Sequence, residues 1–356
     1  MKVLFLCCTP YHLFNAINLA KQFHKKDEVD LFIFEHFDNA KLYANKIKAS
    51  GIFNQIKCIK DRPEQRIRIL RYSFSKSILF DTLKYYDQVE VKEYDHIYTS
   101  HKWEFFKIYL HKVYKKNKKV RVSYVEDGVE TYVTQLDFQL SKIDKIRKID
   151  KLIYNRLQDI YMYQPTTMIY KEKKELLTVL PTPTEEVIVC LEDIFGDVEK
   201  EVKKYLNKSI IYFDQPIEEL DIGLSRKNTL ELLLKHLSQE EFGVKVHPRK
   251  NNFNYKDYNI DTIEASMLPW EVTCNGLKNT VLMTLCSGAV ITPIFLYKNN
   301  NIVILLYRLL LNNTIEHPLV NKMDQFFSRV EKEYPNQVFI PNDEEELKNI
   351  LEQVKR

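Results

Sequence analysis

Glycine is scarce in this chain, at 7 of 356 residues, and proline contributes only 12 more. So little of either excludes a collagen-like or low-complexity protein. Neither a GxGxxG turn nor a GxxxxGK[ST] loop occurs, which argues against dehydrogenases and P-loop enzymes. The six cysteines (Cys7, Cys8, Cys58, Cys190, Cys274, Cys286) contain no CxxC spacing. Neither a zinc site nor a disulfide framework is indicated, and a reducing compartment is expected. No apolar run reaches the roughly 18 residues that a membrane span needs. The opening MKVLFLCCTPYHLF has one lysine and no small-residue cleavage site, so it reads as a first β-strand rather than an export signal. The expectation is a cytoplasmic protein that meets a membrane only at its surface.

What is present is a folded, soluble composition, 45% apolar and 29% charged, long enough for two domains. The net charge of +4 hides an asymmetry: residues 1–180 sum to +11 and residues 181–356 to −7. The run Lys115-Lys116-Asn117-Lys118-Lys119 and the stretch Lys142 to Lys151 carry much of the excess. Such runs attract anionic substrates or acidic lipid headgroups, and they are also what ordinary solvated helix faces look like.

Short apolar or β-branched runs at 2–7, 29–34, 54–60, 95–99 and 120–125 alternate with stretches of helical spacing such as Tyr11 to Lys25 and Asn39 to Ser50. This is βαβ patterning, hence α/β with a parallel sheet. The pattern restarts at 209–213 and continues at 243–247, 259–263, 280–285 and 302–307. Between the two sets lie a basic stretch read as helical, about 138–162, and the proline-punctuated Leu180-Pro181-Thr182-Pro183-Thr184. The chain is therefore read as two Rossmann-like domains with parallel sheets facing a central cleft: 1–160, a linker region at 161–185, and 186–356. From about Asn342 an acidic first turn followed by apolar residues at helical spacing predicts a closing helix.

Candidate chemistry sits at predicted strand ends, where open α/β sheets bind ligands. Glu126-Asp127-Gly128 follows the strand at 120–125 and reads either as a turn or as a carboxylate pair able to accept a proton from an attacking hydroxyl. His247-Pro248-Arg249 closes the strand at 243–247. It reads either as a surface turn or as an imidazole able to donate to a leaving phosphate, with Lys245 and Arg249 adding positive potential. Ser287-Gly288, at a strand-to-helix junction, offers a hydroxyl and backbone N–H groups, including that of Ala289, to a phosphate. Pro10, Tyr11 and His12 follow the first strand, with His12 a substrate contact or a helix-terminal histidine. His101, beside Trp103, is another candidate contact.

Taken together, CCTPYHLFNAI, YVEDG, YFDQP, VKVHPR and TLCSGA resemble bacterial sialyltransferases of glycosyltransferase family 52, which act on lipooligosaccharides and capsular polysaccharides. The resemblance implies a GT-B fold, a CMP-sialic acid donor (CMP-Neu5Ac) held mainly by the C-terminal domain, and no obligatory metal. The acceptor it implies is a galactose-terminated glycan, linked 2,3. His247 would assist departure of CMP and Ser287 would bind its phosphate. Asp127 is the first candidate for the base, followed by Asp221 and then Asp214, because members of the family also place the base ahead of the His-Pro motif. Direct attack then inverts the anomeric centre without a covalent intermediate.

Two other readings stay open. One is a GT-B glycosyltransferase using a UDP-hexose, and the other is a non-catalytic binding protein of a glycan-assembly complex. Peripheral contact with the inner membrane surface and a homodimer are compatible with the sequence. A nucleic-acid partner is not expected, because no aromatic residues interleave the basic runs in a recognisable module.

Overall fold

In a computed structural model, which describes residues 1–60, 89–100, 104–134, 156–170, 176–217, 225–247, 253–264, 268–311 and 318–354, the two sets of strands form two separate sheets. The first contains β1 (Lys2–Cys7), β2 (Glu28–Phe34), β3 (Gln55–Ile59), β4 (His96–Thr99), β5 (Arg121–Val125), β6 (Leu157–Met162) and β7 (Leu177–Val179), in the order β3-β2-β1-β4-β5-β6-β7. The second contains β8 (Ile210–Phe213), β9 (Phe242–Lys245), β10 (Thr262–Ile263), β11 (Val281–Thr284), β12 (Ile302–Leu305) and β13 (Val338–Phe339), in the order β10-β9-β8-β11-β12-β13. Every recorded pairing is parallel.

Both orders are doubly wound: each sheet starts at its middle, grows to one side, then returns to grow on the other. The apolar runs explain why. β1 buries every residue after Lys2, and β2 every residue after Glu28, as strands do when both faces of a parallel sheet are covered by helices. The covering helices are buried to match, the first all round from His12 to Ala20 and the second along one stripe. Helix α1 (Pro10–Phe23) buries Leu13, Phe14, Ala16, Ile17, Leu19 and Ala20, and α2 (Ala40–Ala49) buries Ala40, Tyr43, Ala44 and Ile47, a spacing of 3, 4 and 7 residues on one face.

The chain divides into two compact units. The first is Met1–Asp127, Gln135–Tyr163 and Glu172–Phe195; the second is Gly128–Thr134, Gln164–Lys171 and Gly196–Arg356. This differs from the expected division in how the chain is shared. The segment 161–185, read as a linker, contains the end of β6 and the edge strand β7. Asn18 Nδ2 on α1 donates to the Pro181 carbonyl at 2.7 Å. The following helix, Glu185–Phe195, buries Val187, Leu191, Ile194 and Phe195, and the Phe195 ring packs edge-on against Tyr43 of α2 at 5.2 Å. The expected linker is thus split: its ends and the helix that follows belong to the first unit, and Gln164–Lys171 belongs to the second.

A second departure is β6: Leu157–Met162, read as the end of a basic helix, pairs between β5 and β7. The closing helix forms as expected at Glu344–Val354, with three glutamates in its first turn and Asp343 accepting the Glu346 N–H at 2.8 Å. Among the described residues no helix is long and apolar enough to cross a membrane.

Candidate functional site

In the first unit the site begins where β1 ends. Thr9 caps α1, its hydroxyl accepting the His12 N–H at 3.2 Å, and Pro10 occupies the first turn, where its missing N–H costs nothing. This cap sets the direction of the next two side chains. The Tyr11 hydroxyl donates to Glu126 Oε1, and His12 Nε2 lies 2.7 Å from Asp127 Oδ1. The tautomer of His12 follows from its other nitrogen: Nδ1 faces the Cys8 N–H at 3.1 Å. A backbone N–H can only donate, so Nδ1 accepts, and Nε2 carries the proton that bonds Asp127.

The two acidic residues therefore have different environments. Glu126 is 2% exposed, accepting Tyr11 on one oxygen and the Tyr163 N–H at 2.8 Å on the other. Asp127 keeps 18% of its side chain exposed while bonded to the buried His12. Gly128 follows with φ +63° and ψ −150°, a conformation essentially confined to glycine, so the turn after the acidic pair requires it.

In the second unit YFDQP organises two loops. Asp214, its carboxylate buried, accepts Arg226 Nε at 2.7 Å, the Tyr255 hydroxyl at 2.8 Å and the His247 backbone N–H at 3.3 Å. Burial and the neighbouring Asp214 charge both hold the Tyr255 phenol above its ordinary range. Gln215 Oε1 accepts the Cys286 N–H at 2.8 Å and the Thr284 hydroxyl at 3.1 Å. Adjacent residues at the end of β8 thus tie down the loops after β9 and β11, on either side of the point where the strand order reverses.

Those loops carry His247 and Ser287-Gly288. The Ser287 hydroxyl oxygen accepts the Ala289 N–H at 3.3 Å, so that N–H, expected to face a phosphate, is used within the loop. A Cβ on Gly288 would stand 2.2 Å from Val129 Cγ2; its lack of a side chain is a packing requirement. Trp270 Nε1 donates to the Ala289 carbonyl at 2.7 Å. The Lys245 ammonium lies 5.5 Å from the Phe213 ring centre and 5.7 Å from that of Trp270. Burial lowers the Lys245 pKa, and burial pushes the neighbouring Glu271 up to about 7.

Of the sequence-derived candidates, the structure brings Tyr11, His12, Glu126 and Asp127 together in one unit, and places Lys245 at the end of β9 and Asp214, His247, Ser287 and Gly288 just beyond strand ends in the other. Asp221, His101, Pro248 and Arg249 lie outside the described residues. Sequence reasoning missed Gln215, although it stands beside Asp214 in a quoted motif, and it missed Tyr163, Arg226 and Tyr255, for which no local signal exists. Among the described residues no group of three or more His, Cys, Asp or Glu is placed to hold a metal ion.

A family model described as alpha-2,8-polysialyltransferase matches residues 3–307. The chain belongs to that family. This is a sialyltransferase family similar to family 52, the coarser part of what the motifs led us to expect. The match runs from β1 to just past β12 and contains every motif quoted above.

Solved structures similar to this polysialyltransferase-family chain include Arabidopsis thaliana UGT89C1 complexed with UDP, at 10% identity over 100% of this chain and 91% of that one, with a TM-score of 0.53. Another is Methanocaldococcus jannaschii UDP-GlcNAc 2-epimerase in complex with UDP-GlcNAc and UDP, at 12% identity over 99% and 92%, TM-score 0.52. A third is the glycotransferase of kitacinnamycin, at 8% identity over 100% and 91%, TM-score 0.51. Likeness at this identity shows the fold, and the fold is GT-B. No curated protein matches the sequence.

Proposed function

We propose that the chain is an inverting sialyltransferase that moves sialic acid from CMP-sialic acid to the terminal sugar of a surface glycan. The observation that carries this reading is the Asp127 carboxylate at the end of β5, fastened by His12 at 2.7 Å yet still reaching solvent, in a chain of a sialyltransferase family. Asp127 takes the proton of the attacking hydroxyl. His247 donates to the departing phosphate oxygen of CMP, the Ser287 hydroxyl binds that phosphate, and Lys245 adds positive potential nearby. With the leaving group stabilised in this way, the reaction as proposed requires no metal.

Glu126 is assigned to holding the turn, since both its oxygens accept bonds within the unit. Asp214 is assigned to holding the His247 loop, since its buried carboxylate meets Arg226, Tyr255 and the His247 N–H. The acceptor is proposed to be a sialic acid-terminated chain rather than a neutral galactoside. The family description names a 2,8 linkage, and residues 1–180 carry +11, with Lys115, Lys116, Lys118 and Lys119 exposed, which favours a polyanion.

Incubation with CMP-sialic acid and either an oligosialic acid or lactose tests the reading, CMP release and product being measured together. The oligosialic acid should be extended, and Asp127→Asn should lower kcat by about 10²- to 10⁴-fold. No release of CMP with either acceptor overturns the proposal. Stabilisation by UDP and not by CMP in a thermal-shift assay would favour a UDP-hexose donor instead.

A further inference from the structure

We propose that His12 is a positioning residue that fixes the carboxylate of Asp127 for proton abstraction, through a ring whose tautomer the backbone dictates. The proposal rests on the assignment of Asp127 as base given above. It starts from the chain on either side of Asp127. Glu126 is held by the Tyr11 hydroxyl, by the Tyr163 N–H at 2.8 Å, and by its own N–H on the Tyr161 carbonyl at 3.0 Å. Gly128 adopts a glycine-only conformation, and its carbonyl accepts the Thr131 N–H at 3.1 Å. With the backbone pinned before and after it, Asp127 keeps only its two side-chain torsions, and the 2.7 Å bond from His12 Nε2 to Oδ1 restrains both.

His12 is itself fixed. Its ring is buried, its N–H is bonded to the Thr9 cap, and Nδ1 accepts from Cys8. The N–H of Cys8 has no second role to offer Nδ1, so the ring presents a donor to Asp127. His12 gives up no proton in the reaction. It decides where the carboxylate stands when the acceptor hydroxyl arrives, and a displacement on the order of 1 Å at a reacting group can cost about 10²-fold in rate. A buried histidine read from the sequence as a substrate contact thus acts through its neighbour.

Two isosteres dissect the ring. In His12→Asn the amide oxygen takes the place of Nδ1 and keeps the Cys8 bond, but the shorter side chain no longer reaches Asp127. In His12→Gln the amide nitrogen takes the place of Nε2 and keeps the donor to Asp127. His12→Asn is expected to lower kcat by roughly 10- to 100-fold with KM for CMP-sialic acid changed less than about 2-fold, and His12→Gln to recover a large part of that loss. Wild-type kcat in His12→Asn, or equal kcat losses in the two variants, overturns the proposal. A crystal structure of His12→Asn separates this from the functional reading. An Asp127 carboxylate rotated away supports the positioning role even if no sialyl transfer is found, and one left in place refutes it even if transfer is robust.

Discussion

Glu271 offers a test of how the second unit is built, because its carboxyl is held in an environment that resists charge. Its pKa is raised from 4.5 to about 7, first by burial, with Lys245 offsetting only part. In the unfolded chain the group ionises near the ordinary carboxylate value. A raised folded pKa means that the native state binds the proton more tightly, so stability falls as pH rises from about 4.5 and stops falling above about 7. Integrating the two titrations from pH 5 to pH 8 gives a loss of about 2.5 kcal/mol. Glu271 is only partly shielded from solvent, which makes this figure a ceiling. Replacement by glutamine keeps the shape and removes the titration. Glu271→Gln should therefore melt close to wild type at pH 5 and above it at pH 8, the gap widening by up to roughly 5–10 °C for a unit of this size. Thermal melts of both proteins at the two pH values check this. A gap that is constant across the range, or that widens toward low pH, refutes the account of Glu271 as a desolvated carboxyl.

Asp214→Ala removes the carboxylate that faces buried Arg226, Tyr255 and the His247 N–H, and should destabilise the protein by about 3–5 kcal/mol, read as a fall in the urea midpoint. Gly288→Ala forces a methyl against Val129 and should cost about 1–3 kcal/mol; the double variant with Val129→Ala should recover most of it, and a simple sum of the two single effects would contradict the contact. Saturating CMP at about 100 times its Kd should stabilise the protein by about 2.7 kcal/mol, seen as a raised melting temperature.

Much of the fold was legible because parallel strands announce themselves as short apolar runs between helical stripes. Ten expected strands appear within a few residues of their predicted bounds. β6 was not legible: Leu157–Met162 continues a charged stretch of helical spacing, and only the burial of Ile160, Tyr161 and Met162 between neighbouring strands makes it extended. β7 and β13, three and two residues long, are too short to display a period. The proline-punctuated segment looked like a linker because prolines mark breaks, whereas its destination depends on apolar contacts with α1 and α2 that lie far away in the chain.

The site divides in the same way. The sequence by itself determined which residues stand at strand ends, Asp127 before a glycine and His247 before a proline, because strand, turn and helix signals are local. Only the tertiary structure decided what those residues do for one another. Tyr11 meets Glu126 and His12 meets Asp127 across 115 positions because β1, β4 and β5 lie side by side in parallel and bring the cap of α1 to the turn after β5. Strand order and register arise from packing the whole sheet, and no short stretch of sequence encodes them.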